Sequence, residues 1–386
     1  MIRVLTTFLS LLYFFNVSAQ RPEEIKWIKE NSIDFHKENF YLLDSLLFNK
    51  RIIFLGENTH GASEYYDVKN DLIDYLYNKL GFKVVAWESN MLDCFVVNES
   101  KESLTPSEML GCLHFAFRCE EALEIMKTLR EEDIILAGFD SQPTVYSANT
   151  GKLLKGTDFL NEEYRERFFL IDSLAQTPSK GNQKKSTRRK HIELFEEFRE
   201  DIFRSNLDEA DKEFFQRSID DRIDFLKNWN KNREARMSEN LRYLIEHVFP
   251  DQKIIVYAHN AHNDPNNSEA KVKNFKSMAE MLPPEILDQS YNIALFGYAG
   301  QAKNNFSEVY EFKEHPKESI EHYMYQSGYE RTFLHISGLP NKPETNFLFK
   351  EINTMYWGKF SNPKIMAKHY DGIILINEIT PSAKVK

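Results

Sequence analysis

The chain has 386 residues, of which 42% are hydrophobic and 28% are charged, and both fractions are typical of a folded globular protein. Its 30 Phe, 18 Tyr and 4 Trp supply enough apolar surface to offset the entropy lost on ordering, which argues against intrinsic disorder. The formal net charge of -10 argues against a nucleic-acid partner, because neutralising phosphates requires clustered Lys and Arg.

The N-terminal segment has the pattern of a signal peptide. Arg3 provides a short basic start, residues 4–15 are mostly apolar, and residues 17–19 (VSA) offer a cleavage site of small side chains. The apolar stretch is shorter than the ~20 residues of a membrane span. We therefore predict a signal peptide over 1–19 and a periplasmic or secreted protein, 20–386, without stable membrane insertion. The alternative is a retained N-terminal anchor helix.

Short apolar runs recur along the rest of the chain. They lie at residues 51–55, 82–87, 134–139, 253–258, 291–298, 332–336 and 372–376. Near-continuous runs of this length, rich in Ile and Val, are typical of strands buried on both faces, as in a parallel sheet. Residues 64–80 carry apolar side chains at spacings of mostly three and four, which indicates a helix between the first two runs. The pattern predicts an α/β fold with a mostly parallel central sheet flanked by helices.

A long charged interval separates the third run from the fourth. It contains helical patterns at residues 161–174, 191–204, 208–231 and 233–247. We predict that residues 147–250 form a helical insertion into a single α/β domain and cover the active-site cleft. The three cysteines, Cys94, Cys112 and Cys119, have no metal-ligand spacing, and either one disulfide or buried free thiols would fit them.

Titratable side chains follow four of the predicted strands. The first strand is followed by Glu57 and His60, the second by Glu88, the third by Asp140, and the fourth by His259 and His262. Because ligands of open α/β sheets bind at the carboxyl ends of the strands, we expect a cleft lined by carboxylates and imidazoles.

The first two of these strand ends suggest acid–base chemistry. Glu57 beside His60 can fix the tautomer of the imidazole and raise its basicity, although the same residues could simply form a turn that caps the next helix. Glu88 follows the aromatic Trp87, and burial there would raise the pKa of its carboxyl and make it a proton donor. The alternative for Glu88 is a salt bridge at the rim.

The other candidates are less specific. His259 and His262 are three residues apart and could be metal ligands or an acid–base and oxyanion pair, or one of them could be structural. Asp140 could hold a substrate hydroxyl or a neighbouring histidine. Lys69 and Arg233 could reach the cleft from their helices and bind substrate, although a solvated helix face is the ordinary place for such residues.

Six ordered blocks of the sequence resemble the erythromycin esterase family. They read FLGENTHG, VVAWESN, LAGFDSQP, NREARMSEN, VYAHNAHND and YDGIILINE and run from about residue 51 to 378. The resemblance implies an α/β sheet with a helical insertion, an active-site cleft between the two, and hydrolysis of a macrolide lactone without a metal or other cofactor. It also implies a role in antibiotic resistance. The sequence has no GxSxG, GxxxxGK[ST] or GxGxxG motif.

The resemblance also implies roles for individual residues. Carried over, the family's catalytic acid and histidine fall on Glu57 and His60, its strand-end acid on Glu88, and its two late histidines on His259 and His262. His60 takes the general-base role, and the family's basic helix residue falls on Lys69.

These residues predict a hydrolase that cleaves a small-molecule ester with water and no covalent intermediate. Glu57 would orient His60, His60 would deprotonate the water, and His259 or His262 would stabilise the oxyanion. Glu88 would position the water or protonate the leaving alkoxide.

Two alternatives remain at this point. The first is a divalent-metal hydrolase whose metal is held by His60, Glu88, His259 and His262. The second is a non-catalytic periplasmic carrier of haem or another ligand, suggested by related haem-binding proteins of similar fold, with a histidine as axial ligand.

Overall fold

The structure of the protein is a computed structural model that describes residues 22–143, 160–175, 185–272 and 274–385. The predicted signal peptide, 1–19, lies outside these residues. Within the described ranges, no helix is long and apolar enough to cross a membrane.

The described strands build one large sheet and two short hairpin-like pairs. The strands are β1 Ser32–Asp34, β2 Ile52–Leu55, β3 Phe82–Asn90, β4 Ile135–Asp140, β5 Lys253–Tyr257, β6 Ser290–Lys303, β7 Val309–Glu311, β8 Arg331–His335, β9 Glu351–Ile352, β10 Met355–Tyr356, β11 Phe360–Ser361, β12 Lys364–Ile365 and β13 Gly372–Ile379. The large sheet has the order β1-β8-β13-β6-β2-β5-β3-β4, and β7 pairs with β6.

The predicted α/β fold is confirmed. The run from β13 through β6, β2, β5 and β3 to β4 is parallel throughout, while β1, β7 and β8 pair antiparallel at the margins. All seven predicted apolar runs lie in strands of this sheet. The strand β2 shows why: Ile53 and Leu55 pack into one core while Ile52 and Phe54 pack into the core on the opposite face.

Helices cover both faces of the sheet. They are α1 Pro22–Asn31, α2 Asp44–Leu47, α3 Ser63–Leu80, α4 Met91–Ser100, α5 Pro106–Met109, α6 Glu120–Glu131, α7 Glu162–Ala175, α8 Lys185–Arg204, α9 Glu209–Asn228, α10 Arg233–Tyr243, α11 Asn260–Asn263, α12 Pro284–Asp288, α13 Ile320–Tyr325 and α14 Met366–His369. The helices α3 and α6 share a core with one face, and α8 to α10 share a core with the other.

The helices α7 to α10 occupy the interval between β4 and β5. Two contacts fix α10 against the end of β4: Asn240 donates from Nδ2 to the carbonyl of Phe139 at 3.2 Å, and Met237 is fully buried in the shared core. A π-helical turn, Leu244–Val248, continues α10 toward β5. As a result, the first residues of α10 lie beside the carboxyl end of β4.

The turn between β10 and β11 is a feature that the apolar pattern did not predict. Its four residues are Tyr356, Trp357, Gly358 and Lys359, and the Lys359 amide donates to the Tyr356 carbonyl at 3.1 Å. The turn brings two aromatic side chains to the carboxyl end of the parallel strands.

Candidate active site

A cleft of about 320 Å³ opens at the carboxyl ends of β2, β3, β4 and β5. Five of the predicted site residues line it: His60, Glu88, Arg233, His259 and His262. The other three predicted residues, Glu57, Lys69 and Asp140, are completely buried behind these side chains. The strand order explains the convergence, because β2, β5, β3 and β4 are consecutive neighbours and their ends meet on one edge.

One ring nitrogen of His60 is hydrogen-bonded to Glu57, and the other faces the cleft. Its Nδ1 lies 2.6 Å from Oε1 of Glu57, so this nitrogen carries the ring proton and donates a hydrogen bond to the carboxylate. Nε2 has no hydrogen-bond partner among the described residues and keeps its lone pair for the cleft. A carboxylate that orients an imidazole in this way prepares it to accept a proton.

Lys69 supports this pair from behind, which corrects its predicted role as a substrate contact. Its ammonium is fully buried, lies 2.8 Å from Oε2 of Glu57, and sits 3.5 Å from the ring centre of Tyr257. Burial lowers the pKa of Lys69 to about 8, against the opposing pull of Glu57. The side chain therefore holds Glu57 and does not reach the cleft.

Glu88 is an ionised carboxylate, not the predicted proton donor. Its Oε1 accepts from Nη2 of Arg233 at 2.8 Å and lies 3.1 Å from Nε2 of His262, and its Oε2 accepts from the backbone amide of His259 at 2.9 Å. Burial alone would raise the pKa of Glu88, but the positive charges of His262 and Arg233 hold it well below its usual range. The expectation from Trp87 was wrong because it took account of burial without these partners.

His262 lies between two carboxylates. Its Nδ1 is 2.9 and 3.0 Å from the two oxygens of Glu234, while Nε2 faces Glu88. Burial alone would lower the pKa of His262, but Glu234 and Glu88 raise it to about 10. The ring is therefore a buried imidazolium with a proton on each nitrogen.

His259 has both ring nitrogens engaged by the backbone. The Ala261 amide donates to Nδ1 at 3.0 Å, so the ring proton is on Nε2, which donates to the Asn58 carbonyl at 3.1 Å. The first of these bonds makes His259 the N-cap of α11. Burial, with the neighbouring His60 and His262, lowers the pKa of His259 well below its usual range. The residue is neutral and structural, and its predicted oxyanion role does not fit this geometry.

Asp140 anchors two cleft residues and does not contact the cleft itself. Its Oδ2 accepts from Nη2 of Arg233 at 2.7 Å and from Nε2 of His114 at 2.8 Å. Burial opposes ionisation, yet Arg233 and His114 hold the pKa of Asp140 below its usual range. Of its two predicted roles, contact with a neighbouring histidine fits the structure and contact with a substrate hydroxyl does not.

Sequence reasoning missed several residues of the cleft. The sequence gives no signal for His114 because no motif surrounds it, yet it lines the cleft and pairs with Asp140. Glu234 follows Arg233 directly, and that adjacency was the one available signal for it. Aromatic side chains from distant segments complete the wall, namely Phe115, Phe117, Phe275, Tyr356 and Trp357.

The metal-binding alternative does not fit the donors present. His259 has no lone pair free for a metal, and the two ring nitrogens of His262 face Glu88 and Glu234 rather than a shared point in the cleft. Among the described residues, no group of three or more His, Cys, Asp or Glu side chains is arranged to hold a metal ion. The three cysteines are buried free thiols, so none of them forms a disulfide.

Comparison with known proteins gives a family and a relative in sequence. A family model described as erythromycin esterase matches residues 77–379. The Bacillus subtilis (strain 168) protein named "Putative hydrolase YbfO" is 26% identical over 426 residues, which cover 96% of this chain and 95% of the relative.

Solved structures share the fold. A crystal structure of a Bacillus cereus protein has a TM-score of 0.73 at 16% identity and covers 95% of this chain and 99% of its own. A succinoglycan biosynthesis protein has a TM-score of 0.74 with the same identity and coverage. A substituted form of the erythromycin esterase EreC in its open conformation has a TM-score of 0.62 at 14% identity, with 91% of this chain and 96% of the other covered.

Proposed function

The chain belongs to the erythromycin esterase family of hydrolases, and we propose that it cleaves the ester bond of a macrolide lactone with a water molecule activated by His60. The single observation that carries this proposal is the pair of His60 and Glu57. The 2.6 Å contact from Nδ1 to the buried carboxylate fixes the tautomer that leaves Nε2 as a base in the cleft.

The reaction follows from this arrangement. Nε2 of His60 takes a proton from water as the water oxygen attacks the ester carbonyl carbon, which gives a tetrahedral oxyanion and an imidazolium. The oxyanion then collapses, the carbon–oxygen bond to the leaving alkoxide breaks, and the alkoxide takes the proton from His60. The products are a carboxylic acid and an alcohol, and His60 returns to its starting form.

Arg233 is the group suited to donate hydrogen bonds to the oxyanion, and His262, whose two N–H groups face Glu88 and Glu234, adds only its positive charge. Both are cationic and line the cleft, and their orientation is fixed by buried carboxylates, namely Asp140 and Glu88 for Arg233 and Glu234 and Glu88 for His262. Fixed positive charge near a developing negative charge lowers the barrier because little reorganisation is needed. Glu88 contributes by holding both cations.

Water as the nucleophile fits the composition of the cleft. Among the described residues, no Ser, Thr or Cys side chain lines it. A covalent acyl intermediate would need such a group next to a base.

The macrolide substrate rests on the family and on the shape of the wall. The fold matches that of the erythromycin esterase EreC, and aromatic side chains such as Phe115 and Phe117 offer an apolar surface to a large ester. We also propose that the protein acts outside the cytoplasm, on the pattern of residues 1–19.

Mass spectrometry of erythromycin incubated with the protein tests the proposal. We expect a product heavier by one water, formed equally with and without EDTA and absent with His60→Ala. Product formation by His60→Ala would overturn the role of His60, and the absence of product with the unmodified protein would overturn the macrolide substrate.

The same experiment addresses the alternatives. Loss of turnover in EDTA with recovery on adding a divalent metal would favour a metallohydrolase in spite of the donor geometry. The haem carrier stays a prediction that a haem titration tests, since binding through a histidine would shift the Soret band.

A further inference from the structure

Trp357 has a backbone conformation that a tryptophan rarely adopts. Its φ is 56° and that of Gly358 is 61°, and the Lys359 amide closes the turn on the Tyr356 carbonyl at 3.1 Å. Two successive central residues with positive φ are characteristic of type I′ turns, for which Asn-Gly is the favoured pair. A bulky side chain at the first central position is strained, and such strain persists only where the surrounding structure imposes it.

Asn58 imposes this conformation from the strand end that carries His60. Its Oδ1 accepts from the Trp357 amide at 2.8 Å, and its Nδ2 donates to the Met355 carbonyl at 2.9 Å. Asn58 is itself buried, and its carbonyl accepts from Nε2 of His259. One buried amide side chain therefore connects the strained turn to the chemical centre of the cleft.

The far side of the turn is fixed as well. A Cβ on Gly358 would lie 2.3 Å from the ring of Phe312, so only glycine fits there. Before the turn, Oε1 of the buried Glu321 accepts from Thr354 at 2.6 Å and from the Met355 amide at 2.7 Å. The hairpin is thus held on both sides, and the indole of Trp357 has a defined position.

That position is directly beside His60. The rings of Trp357 and His60 have centroids 6.1 Å apart at an interplanar angle of 84°, and Phe117 lies 4.5 Å from His60. The base therefore lies beside two aromatic rings, and the half-buried Trp357 lines the cleft. A group attached to an ester carbonyl at His60 would come to rest against these rings.

We infer that Trp357 is a specificity-determining residue, a fixed platform that binds an apolar ring face next to the ester bond of the substrate. The inference rests on the proposed ester hydrolysis and narrows its substrate class to esters that carry a cyclic or aromatic group beside the scissile bond. Aromatic rings bind such faces by dispersion and area burial, and a preset ring loses little entropy when the substrate binds.

The test compares benzyl acetate with butyl acetate, whose alcohols are similar leaving groups and differ in the flat ring. The measured quantity is the ratio of kcat/KM for benzyl over butyl acetate. We expect Trp357→Asn and Trp357→Ala to lower this ratio about tenfold, mainly through KM, and Trp357→Phe to lower it less. An unchanged ratio in the Asn and Ala variants would overturn the inference about Trp357. If His60→Ala is inactive in the same assay, that result would still support the proposed ester hydrolysis.

Two controls separate specificity from folding. Trp229 is a second tryptophan with positive φ, stacked on Phe225 away from the cleft, and Trp229→Gly is expected to leave the ratio unchanged. Trp357→Asn is expected to unfold about 1–3 °C above Trp357→Ala, because Asn tolerates positive φ and both variants lack the indole. A Tm of the Asn variant at or below that of the Ala variant would contradict the strain argument.

Binding without turnover keeps the two proposals distinguishable. If the unmodified protein hydrolyses neither acetate, ligand-detected NMR titration with each one still reports on the platform. Tighter binding of benzyl acetate that is lost in Trp357→Asn would support it. Equal binding of the two acetates would overturn it.

Discussion

Two turns at the same edge of the sheet carry histidines and use them in opposite ways. The turn after β2 holds His60 by one nitrogen and leaves the other toward the cleft. The turn after β5 carries His259 and His262, and all four of their ring nitrogens have partners within the protein. The comparison teaches that a histidine in a cleft is a candidate base only where a ring nitrogen is left over after the fold has been built.

The two histidines of the second turn also differ from each other. Backbone groups engage His259, and the ring stays neutral, whereas Glu88 and Glu234 flank His262 and keep it charged. The side chains are three residues apart, so sequence spacing gives no hint of the difference. What separates them is the chemistry of their partners.

The largest expected effect is the loss of catalysis on removing His60. His60→Ala should lower kcat/KM for an ester substrate by roughly 10²–10⁴-fold, because a positioned general base contributes about that factor. Steady-state kinetics measures it, with Tm as a check on folding. His247→Ala, at an exposed histidine outside the cleft, is the matched control and should have the activity of the unmodified protein. A His60→Ala enzyme within threefold of that control would contradict the account.

Removing His262 should be the largest change in stability. His262→Asn leaves Glu88 and Glu234 without their shared buried cation, and breaking such a group by removing one partner costs about 3–5 kcal/mol. Urea denaturation at pH 7 measures this loss. A free energy of unfolding within about 1 kcal/mol of the unmodified protein would show that His262 is not part of a buried ion network.

The pH dependence of stability sharpens the same point. The folded-state pKa of His262, about 10, is above its ordinary value of 6.5, so its stabilising contribution is complete below pH 6.5 and is lost as pH rises toward 10. The slope is at most about 1.4 kcal/mol per pH unit. The folded-state pKa of Lys69, about 8, is below its ordinary value of 10.5, so Lys69 makes the free energy of unfolding rise with pH between these two values.

Because His262 and Lys69 change the free energy of unfolding in opposite senses, the effect of His262 is measured by comparing the unmodified protein with His262→Asn. The free energy of unfolding of the unmodified protein minus that of His262→Asn should shrink as pH rises from 7 to 10. A difference that stays constant over this range would contradict the raised pKa of His262.

The smallest expected effect distinguishes a structural His259 from a chemical one. His259→Ala removes the N-cap of α11 and should destabilise the protein by about 0.5–2 kcal/mol, and His259→Asn should recover part of that because Asn is a good cap. Thermal unfolding measures the stability of each variant, and any change in kcat/KM should parallel the change in stability. A large loss of activity in His259→Asn with unchanged stability would show that the imidazole takes part in the chemistry.

The sheet and the convergence of most candidate-site residues at one edge could be predicted because both depend on local patterns. Strands buried on both faces are continuous apolar runs, and the residues that end neighbouring parallel strands meet at one edge. The pairing of Glu57 with His60 spans only three residues and was visible in the motif.

The misjudged roles depended on partners far away in the chain. Glu88 is ionised because of His262 and Arg233, which both come more than 140 residues later. The ring of His259 is oriented by the Asn58 carbonyl, 201 residues earlier. Trp357 is held by Asn58 across 299 residues, in a hairpin whose short strands have no apolar run. No local pattern encodes which of these groups pair in the fold.

The three histidines of the cleft differ in protonation and therefore in role. The most direct test of this difference is ¹⁵N NMR of the ring nitrogens in histidine-labelled protein at pH 8, with His60→Ala, His259→Asn and His262→Asn to assign the signals. The account predicts a proton on both nitrogens of His262, a proton on Nε2 alone for His259, and a proton on Nδ1 of His60 that is hydrogen-bonded to Glu57. An unprotonated nitrogen on His262, or a His259 ring protonated on Nδ1, would contradict it.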